Sequence, residues 1–339
     1  MSQSPTAAPR VTLLVEEPLQ RQLFTDQALQ QLAGLSRLTT FNGQKRPTPA
    51  DAAPLLADAD LVICSWGAPR FDEALLAQAP NLKRIVYSAG SIKPIVTEAV
   101  PARGVVVTSG AAAIAENVAE YTLGLIIMSL KNAWRLNDET KAGRWRNTTQ
   151  RTQVRELFGL TIGIAGGGAV GRAVLRLLAP FTTRRLLFDP YVSPERAAEL
   201  GARKVELDEL LSQSDVVTLH VPNVPSAHHM VSGHNLGLLK DGAILINTAR
   251  GGLIDEAALL AELKRGRIYA CLDVTDPEPP PADHPLFGLE NVMITPHIAG
   301  GVGNGRLRLG QLALEEVKRF ADGREALYPV DLTRLNEIA

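Results

Sequence analysis

Short runs rich in Val, Ile and Leu alternate along this chain with stretches of helical periodicity, and that alternation restricts the fold more than any other feature. Strands separated by helices pair in parallel, and a parallel sheet needs helices on both faces. The runs of the first part are Val11–Val15, Leu61–Cys64, Arg84–Ser88 and Val105–Thr108, with helical patterns such as Pro18–Leu32 and Asp72–Ala79 between them. The second part repeats the theme with Thr161–Ala165, Arg185–Phe188, Val216–His220, Ala243–Asn247, Ile268–Val274 and Val292–Thr295. Between the parts lies one long helical stretch, Ala115 to Ala142, ended by Gly143. A helix of that length needs more than one partner surface: a crossing between domains, a second subunit or a domain core. The length of 339 residues fits two domains at roughly 100–200 residues each.

Composition removes several function classes. A net charge of -1 with no long Lys/Arg run argues against a nucleic-acid partner. No apolar run is read as approaching the roughly 18 residues of a membrane helix, so no membrane is expected. Met1 to Arg10 has no apolar core and reads as a frayed tail rather than a secretory signal. Cys64 and Cys271 lack the neighbours of a zinc or redox motif and read as buried reduced thiols of a cytoplasmic protein. No metal-ligand spacing is found, and His228-His229 reads as a solvated loop.

The segment Thr161-Ile-Gly-Ile-Ala-Gly-Gly-Gly-Ala-Val-Gly171 holds a G-x-G-x-x-G pattern as Gly166, Gly168 and Gly171. Alone, in a chain with 28 glycines, the pattern is weak. A strand before it and a helix at Arg172–Leu178 after it give it meaning. The first glycine permits a tight turn, the second lets backbone approach a pyrophosphate, and the third lets helix and strand pack closely. The helix N-terminus then presents free N–H groups to phosphate. Asp189 ends the next strand, where an acid that holds the cofactor ribose is expected roughly 20 residues on. Its charge repels a 2′-phosphate, which favours NAD over NADP.

Three later segments place polar residues at strand ends: Asn247-Thr-Ala-Arg-Gly-Gly252, Asp273-Val-Thr-Asp-Pro-Glu-Pro279 and Thr295-Pro-His-Ile-Ala-Gly300. Ligands of open α/β sheets bind beyond the carboxyl ends of strands, so Arg250, Glu278 and His297 can converge there. Reducing a 2-keto acid needs a cation for the carboxylate, for which Arg is suited. It also needs a proton donor at the C2 oxygen, for which His is suited, with a carboxylate to orient the ring and favour imidazolium. Taken singly, each residue has a plain structural reading, as a cap, a loop charge or a packed loop histidine. Their succession after a dinucleotide fingerprint is what assigns them chemistry.

At these motifs the chain resembles the D-isomer-specific 2-hydroxyacid dehydrogenases, a family that includes phosphoglycerate, D-lactate and glyoxylate/hydroxypyruvate enzymes. The resemblance is strong from Leu160 to Gly301, through Leu219-His-Val-Pro222, Ile246–Asp255, Leu272-Asp-Val274 with Glu278-Pro279, and Thr295-Pro-His-Ile298. It is weaker at Val118-Ala-Glu120 and Gly143-Arg-Trp145. It implies Arg250 as carboxylate anchor, His297 as acid/base and Glu278 as its partner. Asp189 then holds the adenine-side ribose and Asp273 the nicotinamide carboxamide. Ala169 and Val170 hold the pyrophosphate, and Val221, Thr248, Ala299 and Gly300 line the cofactor. The implied fold class is α/β, with two Rossmann-like domains of parallel sheet. An NAD-binding domain (116–301) is inserted into a discontinuous, flavodoxin-like substrate domain (1–115 and 302–339). A homodimer through the inserted domain is also implied.

The substrate half departs from the family. Its carboxylate loop reads Tyr87-Ser-Ala-Gly-Ser-Ile-Lys93, with Ala89 and Gly90 as the expected contacts but without the usual acid. The other substrate loop, Ser65-Trp-Gly-Ala68, offers Trp66 and Gly67, with Arg70 as the one cation near in sequence. A phosphorylated substrate wants several cations, and the chain ends before the regulatory domain that some phosphoglycerate enzymes append, so such a substrate is not expected. Two other readings remain. Formate-type dehydrogenases resemble the chain but carry Gln where Glu278 stands. NAD-sensing corepressors of the C-terminal-binding-protein type keep the same fold and the Arg/Glu/His set.

Overall fold

The computed structural model describes residues 8–145 and 153–335. Of the expected N-terminal tail, Met1 to Ala7 lie outside the described residues, and Arg10 belongs to the first strand. The chain divides into two compact units, one formed by residues up to Ile114 together with Gly301 onward, the other by Ala115–Gly300.

The first unit holds strands β1 (Arg10–Leu14), β2 (Arg37–Thr40), β3 (Leu61–Cys64), β4 (Arg84–Tyr87) and β5 (Val106–Ser109). They pair in parallel in the order β2-β1-β3-β4-β5. Helices α1 (Glu17–Leu23), α2 (Asp26–Leu35), α3 (Pro49–Leu56), α4 (Glu73–Ala77) and α5 (Ala99–Ala102) connect them. Helix α6 (Ala111–Leu130) carries the chain into the second unit. Strands β3 and β4 are buried along their whole length, as strands covered on both faces must be. Side chains alternate between two cores: Leu14, Val62 and Ile85 face one, while Leu13, Ile63 and Val86 face the other.

The second unit adds α7 (Ala133–Lys141), β6 (Thr161–Ala165), α8 (Ala169–Leu178), β7 (Arg184–Phe188), α9 (Pro194–Glu199), β8 (Arg203–Lys204), α10 (Leu207–Gln213), β9 (Val216–Leu219), β10 (Ile244–Asn247), α11 (Glu256–Lys264), β11 (Tyr269–Leu272) and β12 (Val292–Ile294). Its sheet runs β12-β11-β10-β9-β6-β7-β8, all parallel. The strand order reverses between β6 and β9, and ligands of doubly wound sheets bind at such a switch point. After crossing back, the chain returns to the first unit and ends in α12 (Leu307–Ala321). Gly310 lets α12 lie against α1, since a Cβ there would meet Leu23 O at 1.8 Å. Beneath the sheet, Arg84 and Glu316 form a buried ion pair at 3.3 Å.

Local sequence chemistry corrects several expectations. The helix read as Pro18–Leu32 is two helices, because Phe24 is extended and the Thr25 side chain accepts from Ala28 N to start α2; such a cap contributes about 1 kcal/mol. The long stretch Ala115–Ala142 is likewise broken at Asn132, which adopts φ 50°, a left-handed conformation that Asn tolerates. Strands β2 and β8 were not anticipated. Both lie at sheet edges and are polar and partly exposed, so no apolar run betrays them. The reading that no segment has membrane-helix length is also corrected. Helix α6 is 20 residues long and apolar enough to pass that test, yet Ala119, Leu125, Ile126 and Leu130 are packed in the core of the second unit.

Candidate active site

Most of the residues singled out in the second unit lie just past the carboxyl end of a strand. Gly166 follows β6, Asp189 follows β7, and Val221 follows β9. Thr248 and Arg250 follow β10, Asp273 follows β11, and His297 follows β12.

The glycine loop fits a dinucleotide by what a side chain would block. Gly166 has φ +103°, and a Cβ there would meet His220 O at 2.5 Å. At Gly171 a Cβ would lie 1.9 Å from Gly166 O, so only glycine lets α8 pack against the turn. Gly168 has nothing within 4 Å of its Cβ position and is the N-cap of α8, with no side chain capping it. Among the described residues no protein acceptor takes the amides of Gly168, Ala169 or Val170. Free amides at a helix N-terminus suit pyrophosphate. Asp189 braces the loop, its Oδ2 accepting from Gly167 N and its Oδ1 from Tyr191 N, both at 2.7 Å. Each oxygen keeps a second lone pair for a ribose hydroxyl. Arg172, which sequence reading passed over, donates from Nε to Gly167 O at 2.7 Å and adds a cation at the same helix end.

Behind the loop, His220 is buried and bonds Thr218 Oγ1 through Nε2 at 3.0 Å, while its Nδ1 has no partner among the described residues. Burial pushes this imidazole down to about 3, so it is neutral across the physiological range. Val221 packs on the core, and Thr248 Oγ1 lies 3.2 Å from Thr122 Oγ1 of α6.

The three expected catalytic segments come together through backbone packing. Buried Asn247 brackets the turn that carries Arg250, donating to Arg250 O at 2.8 Å and accepting from Ala249 N at 3.0 Å. A Cβ on Gly251 would meet Thr275 backbone at 2.1 Å, so this glycine seats the Arg250 turn against the loop bearing Glu278. The Arg250 guanidinium is exposed and, among the described residues, has no carboxylate partner. Glu278 Oε1 lies 2.5 Å from His297 Nδ1, which leaves Nε2 free to face a ligand. His297 holds φ +52°, a left-handed backbone rare for a non-glycine residue. Asp273, 1% exposed, accepts from Thr295 Oγ1 at 2.6 Å and from the amides of Ile298 and Ala299 at 2.9 and 2.8 Å. Gly300 completes that turn as the last residue of the unit.

In the first unit, the loops after β3 and β4 are tied together by Ser65 Oγ donating to Ser88 O at 2.8 Å. Ala89 is fully buried and its carbonyl accepts from Gly110 N, so it offers no side chain to a ligand. Gly67 has φ +83°, and the place of its missing side chain is taken by the stem of Arg46, 2.4 Å from an ideal Cβ. The Arg306 guanidinium stacks over Trp66 at 5.4 Å and donates to Gly301 O at 2.6 Å. The expectation that Arg70 is the one cation near this loop is therefore corrected. Arg46 and Arg306 come from segments distant in sequence, and no local pattern could have found them.

Both cysteines are buried and free, and burial pushes the Cys271 thiol up to about 11. Among the described residues no cluster of three or more His, Cys, Asp or Glu could hold a metal ion.

Residues 123–299 match the model of the D-isomer specific 2-hydroxyacid dehydrogenase NAD binding domain. The chain is 34% identical over 264 residues to D-3-phosphoglycerate dehydrogenase of Archaeoglobus fulgidus, an alignment covering 78% of this chain and 50% of that protein. It is 33% identical over 246 residues to hydroxypyruvate reductase of Thermotoga maritima, covering 72% of this chain and 79% of that one. The solved D-isomer specific 2-hydroxyacid dehydrogenase of Lactobacillus delbrueckii ssp. bulgaricus, in its NAD complexed form, has a TM-score of 0.79. That likeness covers 94% of this chain and 100% of that chain at 22% identity, and is one of fold. The chain spans 50% of the first phosphoglycerate dehydrogenase it matches and 60% of a second, from Methanocaldococcus jannaschii.

Proposed function

The chain belongs to the D-isomer specific 2-hydroxyacid dehydrogenase family with NAD as its cofactor, and from that premise we propose that it interconverts a small D-2-hydroxy acid and its 2-keto acid. One observation carries the reading: the 2.5 Å contact between His297 Nδ1 and Glu278 Oε1, on loops packed beside the turn of Arg250, whose guanidinium has no carboxylate partner among the described residues.

Bound NAD(H) supplies or accepts the hydride at C2. The remaining work falls to side chains. The Arg250 guanidinium takes the substrate carboxylate through paired N–H donors and draws electron density from the neighbouring ketone. In the reduction direction His297 gives the proton on Nε2 to the C2 oxygen as that oxygen gains charge. Glu278, bonded at Nδ1, holds the ring so that Nε2 is the working nitrogen. Trp66, Gly67 and the backbone at Ala89 and Gly90 are proposed substrate contacts. Arg46 against Gly67 and Arg306 over Trp66 remove the scarcity of cations that argued against a phosphorylated substrate. The protein is proposed to act in the cytoplasm, and as a homodimer, for which the exposed rings of Trp145 and Phe158 on the second unit are the support.

The test is NADH oxidation with glyoxylate, hydroxypyruvate, pyruvate, phenylpyruvate, 2-ketoisocaproate and phosphohydroxypyruvate. We expect turnover of at least one, reduced about 10²- to 10⁴-fold in His297→Ala. Arg250→Ala should abolish turnover with NADH affinity nearly intact. Silence across the panel with NADH still bound would favour an NAD-sensing interaction protein, and loss of NADH binding in Arg250→Ala would mean that Arg250 does not address substrate.

A further inference from the structure

His297 sits in a backbone conformation that its own sequence does not favour, so something outside the residue must hold it there. The holding points are few and converge on one side chain. Asp273 takes the Thr295 hydroxyl and the Ile298 amide on Oδ1 and the Ala299 amide on Oδ2, while its carbonyl takes the His297 amide at 2.9 Å. Every residue from Thr295 to Ala299 except Pro296 is thereby bonded to Asp273.

The chain of bonds continues outward. Thr295 Oγ1 lies 3.0 Å from the Tyr121 hydroxyl on α6. Its polarity follows from proton bookkeeping. An ionised carboxylate has no proton to give, so Thr295 donates to Asp273. A hydroxyl has one proton, so Thr295 must accept from Tyr121. Burial pushes the Tyr121 phenol above its ordinary value, which keeps that donor protonated. We infer that Tyr121 and Thr295 are positioning residues: the chain Tyr121 to Thr295 to Asp273 clamps the loop of the proton donor and sets where His297 Nε2 stands. This extends the assignment of Asp273, because a carboxylate accepts about four hydrogen bonds and three donors leave room for one from a carboxamide. The inference rests on the reading of His297 as the proton donor.

The variants are Thr295→Val, which keeps the shape and removes the hydroxyl, Thr295→Ser, which restores it, and Tyr121→Phe. Two readouts are taken on the full chain: kcat and KM with NADH and the best 2-keto acid, and amide hydrogen exchange at Ile298 and Ala299. Misplacing a catalytic group by an ångström costs up to about a hundredfold. Thr295→Val should therefore lower kcat roughly ten- to a hundredfold with KM for NADH nearly unchanged. It should also speed exchange at both amides without altering exchange in β10 and β11. Thr295→Ser should recover most of both, and Tyr121→Phe should move both in the same direction by less. Unchanged kcat and unchanged exchange in Thr295→Val and Tyr121→Phe overturn the clamp. A chain silent on every 2-keto acid, yet with faster exchange in the variants, overturns the catalytic reading instead and leaves the clamp standing.

Discussion

The two units carry parallel sheets of the same doubly wound kind, yet their first turns from strand to helix are opposite in chemistry. After β6 the turn is three consecutive glycines, and the first amides of α8 are free. After β1 the turn is Glu16-Glu17-Pro18. There the Glu17 amide is already given to Gly43 O, Pro18 has no N–H, and the amides of Leu19 and Gln20 both go to Glu16 O. Two carboxylates at a helix N-terminus favour the helix by about 0.3–1 kcal/mol each and repel any other anion. The first unit thus stabilises its helix with its own charge, where the second leaves the same position open for a ligand. Topology gives both sheets a switch point, and three residues decide which one can cradle a phosphate.

The largest expected effect on that contrast is at Gly171. Gly171→Ala places a methyl 1.9 Å from Gly166 O, so the β6–α8 turn must open and NADH binding, followed by fluorescence titration, should be lost. Retained binding would mean that the turn is not the cradle. Asp189→Ala keeps the glycines but removes both the acid and its brace on Gly167 N. NADH affinity should fall about ten- to a hundredfold, the worth of one charged hydrogen bond, and the discrimination against NADPH should shrink. An enzyme that already prefers NADPH breaks the assignment.

Acid should separate the units as well. All six histidines lie in the second unit. Its buried His220, held near 3, stays neutral in the fold while the unfolded chain takes a proton below about 6.5. Its stabilising effect is complete above that value and is lost as pH falls from about 6.5 toward 3. The cost by pH 5 is about 2 kcal/mol, and His220→Asn should flatten the dependence in calorimetry at pH 7 and pH 5. The first unit should respond at lower pH. There Arg10 bonds both oxygens of Asp60, which holds its carboxyl below the ordinary range, so stability is lost as pH falls from the ordinary carboxylate value to that lowered one. Equal loss in both units between pH 7 and pH 5 would defeat this separation. The smallest effect is Gly34→Ala in α2, where nothing lies within 4 Å of the new methyl. It should stabilise the first unit by about 0.5–1 kcal/mol, in contrast to the glycines of the fingerprint.

What could be read beforehand tracks burial. Strands β3 and β6 carry continuous apolar runs and have the limits expected for them, because both faces are covered. The edge strands β2 and β8 face water and leave no such mark. The helix breaks at Thr25 and Asn132 depend on one side-chain cap and one left-handed residue, which apolar periodicity does not register. In the site, the placing of Arg250, Glu278 and His297 on segments beyond strand ends was legible because polar residues there follow apolar strand runs. Tyr121, Arg46 and Arg306 were not. Each touches a neighbour distant in the chain, and only folding makes it one.

The placement of α12 has a consequence for how the molecule is made. Leu13, Ile63 and Val86 on one face of the first sheet pack with Leu309, Ala313 and Val317, and Arg84 awaits Glu316. The 186 residues from Ala115 to Gly300 stand between these two sets. At roughly 5–20 residues per second, translation leaves the part of that face under α12 uncovered for about 10–40 seconds, with α1 and α2 already at hand for the rest. All seven strands of the second unit emerge in that interval, so its sheet can close and its glycine loop can form while the first sheet still lacks part of a wall. The half of the molecule that is translated first is the half that is finished last.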